Sequence, residues 1–115
     1  MKIRVLNNPI SLADVLVLAK EQFGDMVKAT VDVERELLAI GGELHSDEEA
    51  LLLEDGSKQE HLWGINIYPE KTGEDFIEFD SMINVRPSQN NRSRGVENPE
   101  IRARISRIIK NMVQP

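Results

Sequence analysis

Between Asn84 and Arg102 the chain reads NVRPSQNNRSRGVENPEIR, which sets Arg86, Arg92, Arg94 and Arg102 among Ser88, Gln89, Asn90, Asn91 and Ser93. Arginine presents a planar fork of N–H donors that matches carboxylate and phosphate oxygens two at a time. Serine hydroxyls and loop N–H groups can complete such a cradle, and a helix N-terminus close behind it favours negative charge. Arg86, Ser88, Asn91, Arg92, Ser93 and Arg94 are therefore the candidate anion-binding set. The glycine spacing is not that of a phosphate-binding P-loop, and Glu97 and Glu100 stand beside the helix start. A purely structural reading stands against it. In that reading Arg86 and Arg92 pair with Glu78 and Asp80, while the Asn and Ser side chains satisfy the turn backbone.

Two further groups have residue types that could do chemistry. Glu78 and Asp80 share a strand face with Asn66 and Asp32 on neighbouring strands, and paired carboxylates perform general acid–base work when their environments drive their pKa values apart. Glu78 and Asp80 are the catalytic candidates; as an alternative they are solvent-facing partners of nearby Arg. Glu43, His45 and Asp47 alternate along GGELHSDEE, and His61 is the only other histidine. A carboxylate–histidine metal site would need the two histidines to meet, and the spacing matches no established ligand pattern. No cofactor is expected.

These groups must be positioned by a chain of 115 residues, enough for one core without metal or disulfide support. Cysteine is absent, which excludes disulfides, thiolate zinc sites and cysteine nucleophiles together. The opening MKIRVLNNPISL has no apolar signal-peptide core, and no run approaches the ~18 apolar residues of a membrane span. A soluble, cytoplasmic protein forming a single domain over residues 1–115 is expected. The net charge is −6, unevenly spread: residues 35–60 carry eight acidic and two basic side chains, residues 86–115 two acidic and seven basic. Overall acidity and scarce aromatics argue against nucleic acid as a partner. A small anionic ligand, or a second copy of the chain in a homodimer, fits better.

The elements follow from periodicity and punctuation. KIRVL is a short β-type run closed by Asn7-Asn8-Pro9. Ser11 is placed to cap a helix over residues 11–23, with Leu12, Val15, Leu16, Ala19 and Phe23 at helical spacing and Gly24 as its stop. MVKATVDVE alternates like a half-buried strand, and ELLAIGG returns after a short connection as its hairpin partner. Ser46-x-x-Glu49 is a capping box for a short helix ending at Gly56. Its Leu51-Leu52-Leu53 run cannot all face one way. HLWGINIYP and DFIEFDSMINVRP are two more strands, the second placing Ile77, Phe79, Ser81, Ile83 and Val85 inward. Asn98 caps the last helix with Pro99 at its first position, and Ile101, Ile105, Ile108, Ile109 and Met112 form its apolar stripe.

Strands with one apolar and one mixed face predict an α+β fold: an antiparallel sheet of four to five strands, packed on one side by the N-terminal and C-terminal helices, with a short additional helix. The mixed face, with Thr30, Asp32, Asn66, Glu78, Asp80, Asn84 and Arg86, is left as a solvated surface, a cleft or a subunit interface. The stretches GGELHSDEEALLLEDGSKQEHLWGINIYP and EDFIEFDSMINVRPSQNNRSRGVENPEIR resemble a small prokaryotic protein family catalogued as a domain of unknown function. That resemblance spans nearly the whole chain and is most specific over residues 40–102. Where the family pattern has Gly, this chain has Asn90, a residue that tolerates a left-handed backbone. The resemblance implies one compact domain and no particular activity. The leading expectation is a module that binds a phosphate- or carboxylate-bearing ligand through residues 86–94. The alternatives are a hydrolase- or transferase-type enzyme using Glu78 and Asp80, and a homo-oligomeric interaction protein.

Overall fold

The chain, described over residues 3–115 in a computed structural model, runs β1 (Arg4–Leu6), β2 (Ile10–Ser11), α1 (Leu12–Glu21), β3 (Val27–Asp32), β4 (Leu37–Ile40), α2 (His45–Glu54), β5 (Leu62–Ile67), β6 (Ile77–Glu78), α3 (Pro99–Met112) and β7 (Val113–Gln114). Lys2, which opens the first predicted strand, lies outside the described residues. Five strands form one antiparallel sheet in the order β1–β4–β3–β5–β6, and β2 pairs with β7 in a small parallel ribbon. The fold is α+β, as the alternating strand faces imply. Among the described residues no helix is long and apolar enough to cross a membrane.

The core lies on the face where the alternation placed it. Val27, Ala29 and Val31 of β3, Leu38 and Ile40 of β4, and Trp63, Ile65 and Ile67 of β5 pack against Val15 of α1 and Ile105, Ile108, Ile109 and Met112 of α3. Each fully buried aliphatic chain contributes about 1.5–3 kcal/mol relative to exposure. Both helices start as the sequence indicates. Ser11 Oγ accepts from Asp14 N at 3.1 Å, and Asn98 Oδ1 accepts from Glu100 N at 2.8 Å. α1 ends at Glu21, short of the predicted residue 23, and Phe23 is 42% exposed, its ring under the Lys28 ammonium.

The opposite face is roofed by α2 over part of its area. Leu52 packs on Ala39 and Leu62 in a second, smaller apolar cluster, Leu51 is half-buried and Leu53 is exposed. The predicted capping box does not form. α2 begins one residue before Ser46, with Leu44 at the cap and no side-chain bond to the first turn. The cap thus lies two residues before the predicted one, and His45, Glu48 and Leu52 face inward, spaced by three and four residues.

The last predicted strand also departs from expectation. Pairing with β5 stops at Glu78, and the following residues form 3-10 turns at Met82–Asn84 and Pro87–Gln89. Ile77 and Phe79 keep to the core face, but Ser81 is buried against Gly64 on the α2 side and Val85 is exposed. Gly64 permits that approach: a Cβ there would stand 2.6 Å from Ser81 Cβ and 3.1 Å from His45 Cδ2. Gly64→Ala should therefore lower stability by about 1–3 kcal/mol, the range for overpacking. Urea denaturation checks this, and a change below about 0.5 kcal/mol would mean that the 81–84 segment moves aside freely.

Candidate functional site

Strand register creates a cleft on the α2 side of the sheet. One cross-strand row, Ala39–Thr30–Gly64, is covered by α2 and Ser81. The next row, Lys28–Asn66–Glu78, is left open beyond the first turn of α2 and becomes the floor of a cleft of about 470 Å³. His45, Ser46, Tyr68, Asp80, Ser81 and Arg94 supply its polar walls, while Met26, Leu44, Met82 and Ile83 supply apolar ones. A wider groove of about 1320 Å³ runs beside α3, but none of the candidate site residues line it.

Within the cleft the charged groups are held by one edge each. Glu78 Oε1 accepts from Asn66 Nδ2 at 2.8 Å and from Tyr68 Oη at 3.2 Å. Asp80 Oδ1 accepts from Arg94 Nε at 2.7 Å, an ion pair that fixes the guanidinium plane. Among the described residues the terminal nitrogens of Arg94 and Glu78 Oε2 make no hydrogen bond, and Lys28 makes no ion pair. Asn66 Oδ1 is buried without a partner at the cleft floor.

The Arg-rich loop divides into parts with separate roles. Arg86 turns inward: its guanidinium stacks 4.2 Å from the Trp63 ring and donates to the carbonyls of Gln59 and Leu62. Asn91 is buried, and its Nδ2 donates to the carbonyls of Asn84, Ser93 and Gly95 while Oδ1 accepts from Glu97 N. Arg92 N and Ser93 N both donate to Glu97 Oε2 at 2.8 Å. That pair of successive N–H groups is an anion nest, and the chain's own Glu97 occupies it. The bonds, chiefly from Ser93, hold the Glu97 carboxyl below its ordinary pKa. Ser88 is exposed on the second 3-10 turn. Asn90 sits at φ 60°, the left-handed backbone expected for that position. Of the predicted anion set, only Arg94 lines the cleft, and the Asp80 pairing considered for Arg86 and Arg92 belongs to it.

The other candidates separate likewise. Glu78 and Asp80 line the same cleft, whereas Asp32, buried at the end of β3, uses Oδ1 to accept from Glu34 N and Arg35 N of the following turn at 2.9 Å. His45 is at the cleft wall with Nε2 2.7 Å from the Ile65 carbonyl, which makes that nitrogen the donor. Burial lowers its pKa, against a smaller upward pull from the carbonyl. His61 lies in the turn before β5, and Glu43 and Asp47 are exposed. No group of three or more His, Asp or Glu among the described residues is placed to hold a metal ion.

Glu48 carries no sequence flag as a special residue, yet it is fully buried beneath the first turn of α2. Oε2 accepts from Gly42 N at 2.9 Å, and Oε1 lies 3.0 Å from the Thr30 hydroxyl, which also reaches the His45 carbonyl at 3.5 Å. Burial pushes its pKa up to about 9, outweighing those two bonds and the Lys28 charge. The sequence signal was present in the three- and four-residue spacing of His45, Glu48 and Leu52. Lys28 and Asn66 were legible only as the polar face of their strands, because register decides which polar row stays open.

Residues 4–112 match the model of a family described as proteins of unknown function (DUF5674), and the chain belongs to that family. No curated protein and no solved structure matches it.

The buried acid makes stability pH-dependent. The unfolded carboxyl ionises near 4.5 and the folded one near 9, so the contribution of Glu48 is complete below pH 4.5 and is lost as pH rises toward 9. The slope is up to about 1.4 kcal/mol per pH unit. Glu48→Gln keeps the acceptor for Gly42 and presents an amide to Thr30. It should flatten this slope and exceed the wild type in stability at pH 8. Denaturation from pH 5 to 9 measures both; a wild type whose stability is level across that range would show that Glu48 ionises without penalty.

Proposed function

We propose that this member of the DUF5674 family is a binding protein for a small carboxylate- or phosphate-bearing ligand, taken in the cleft over Lys28, Asn66 and Glu78. The observation that carries the reading is the state of Arg94. Its Nε is anchored on Asp80 at 2.7 Å, and its two terminal nitrogens are left to face a partner. A guanidinium fixed before binding loses little entropy when it grips an anion. Lys28 lines the same cleft without an ion-pair partner among the described residues and supplies a second cation. The N–H nest of the neighbouring loop is already filled by Glu97, so an external anion finds its donors at Arg94 rather than at Arg92 and Ser93.

A hydrolase or transferase reading rests on the placement of Glu78 and Asp80 in one concave site beside Arg94. It is the weaker of the two. Each carboxylate is already engaged, Glu78 by Asn66 and Tyr68 and Asp80 by Arg94. The Ser81 hydroxyl, which also lines the cleft, accepts from Ile83 N at 3.2 Å, and no hydrogen bond joins it to His45 among the described residues. A nucleophile activated by a neighbouring base needs such a bond.

A thermal-shift titration with inorganic phosphate and acetate, on wild type, Arg94→Ala and Arg92→Ala, tests the binding reading. A saturable rise is expected in the wild type and in Arg92→Ala, equivalent to about 2.7 kcal/mol at a hundred times Kd. Arg94→Ala should lose it. Equal loss in both variants would move the site to the loop, and no response in any of the three proteins would overturn the reading.

A further inference from the structure

We infer that the ligand of this cleft is a zwitterion, an α-amino acid with an apolar side chain. This rests on the reading of Arg94 as a carboxylate donor and adds two recognitions to it. The cleft holds two cations, Lys28 and Arg94, and two anions, Glu78 and Asp80. Asp80 is spent on Arg94 Nε, so a carboxylate can still take the terminal nitrogens of Arg94. The two cations only balance Glu78 and Asp80, so a simple anion would leave the cleft with an excess negative charge, and phosphate would leave a larger one. An ammonium group removes that excess.

Glu78 is built to receive one. Asn66 Nδ2 and Tyr68 Oη both bond Oε1, which fixes the carboxylate and leaves Oε2 as an acceptor on its far side. The same Asn66 amide reaches the Asp80 carbonyl at 3.5 Å, so the acceptor carboxylate and the backbone that carries Arg94's anchor share one fixed side chain. Glu78 and the residue that anchors Arg94 are thereby tied to one side chain at the floor of the same cleft. The Oδ1 of the same Asn66, a residue only 5% exposed, is buried without a hydrogen-bond partner.

The third recognition is apolar. Leu44 at the cap of α2 and Met82 on the facing 3-10 turn are 53% and 66% exposed, and both line the cleft. Unpartnered Leu and Met on opposite walls of a charged cleft give an aliphatic side chain a place to bury. Carboxylate donors, an ammonium acceptor and an apolar rim together describe an amino acid such as leucine or methionine.

Isothermal titration calorimetry at pH 7 with L-leucine, N-acetyl-L-leucine, L-leucinamide and inorganic phosphate, on wild type, Glu78→Gln and Arg94→Ala, decides it. Both side chains are at the surface, and melting curves confirm that the variants fold. Leucine should bind the wild type at least about tenfold more tightly than either capped form or phosphate, each tenfold being about 1.4 kcal/mol. Glu78→Gln should erase the preference for leucine over N-acetyl-leucine, and Arg94→Ala should weaken both. If N-acetyl-leucine matches leucine, or Glu78→Gln leaves the preference intact, the zwitterion is overturned while the carboxylate reading survives. If leucine, N-acetyl-leucine and phosphate all fail to bind, both readings fall.

Discussion

β5 runs for six residues but β6 pairs with only two of them, and the backbone groups of the remaining edge are buried. A buried peptide group without a partner costs about 1–3 kcal/mol, so the edge has to be completed by something other than a strand. Asn84 does so at Gly64. Its Oδ1 accepts from Gly64 N at 2.8 Å and its Nδ2 donates to Gly64 O at 3.0 Å, the same pair of bonds that a strand residue would offer. Further along, Arg86 takes the Leu62 carbonyl. The segment after β6 is thus a sheet edge assembled from side chains, and its close approach requires the missing Cβ of Gly64.

The rest of the loop follows from that substitution. Asn84 Nδ2 also donates to the Arg94 carbonyl, which accepts from Ser81 N as well, so residues 81 and 94 are drawn together. Asn91 then ties Asn84, Ser93, Gly95 and Glu97 to one amide. Three-dimensional closure of this loop is what delivers Arg94 to Asp80 across 14 residues of sequence. Glu97 completes it by filling the N–H nest of Arg92 and Ser93. The composition of the stretch, rich in Asn, Ser and Arg, is chiefly a record of backbone groups that need partners away from any strand.

That is also why the fold was more legible in the sequence than the site. Periodicity placed β3, β5 and α3 and the core face correctly, since burial of Val, Ile and Leu leaves a two- or four-residue rhythm. Ser11 and Asn98 marked helix starts through local backbone chemistry. The failures share a different origin. DFIEFDSMINVRP alternates like a strand throughout, but pairing ended at Glu78 because side-chain amides replaced the ladder, and no local pattern distinguishes the two. Ser46-x-x-Glu49 matched a capping box, yet with Leu52 and Glu48 buried the helix is capped two residues earlier, at Leu44. The Arg set was visible as a set, but only tertiary contacts could send Arg86 to Trp63 and Arg94 to the cleft.

Glu48 and His45 tie the cleft wall to the sheet through buried hydrogen bonds. The Thr30 hydroxyl lies 3.0 Å from Glu48 Oε1 and 3.5 Å from the His45 carbonyl, which links the sheet to the first turn of α2. Gly42 N anchors the other carboxyl oxygen, and a side chain at Gly42 would meet Glu48 Cγ at 2.9 Å. His45, held neutral by burial, fixes the same turn to β5 through Ile65. α2 lacks a side-chain cap, so these buried bonds do the work of positioning its start. Neutrality matters as much as position here. A charged His45 would act on Lys28, Asp80 and Arg94, and an ionised Glu48 on Lys28, so either would disturb the balance of two cations against two anions that defines the cleft.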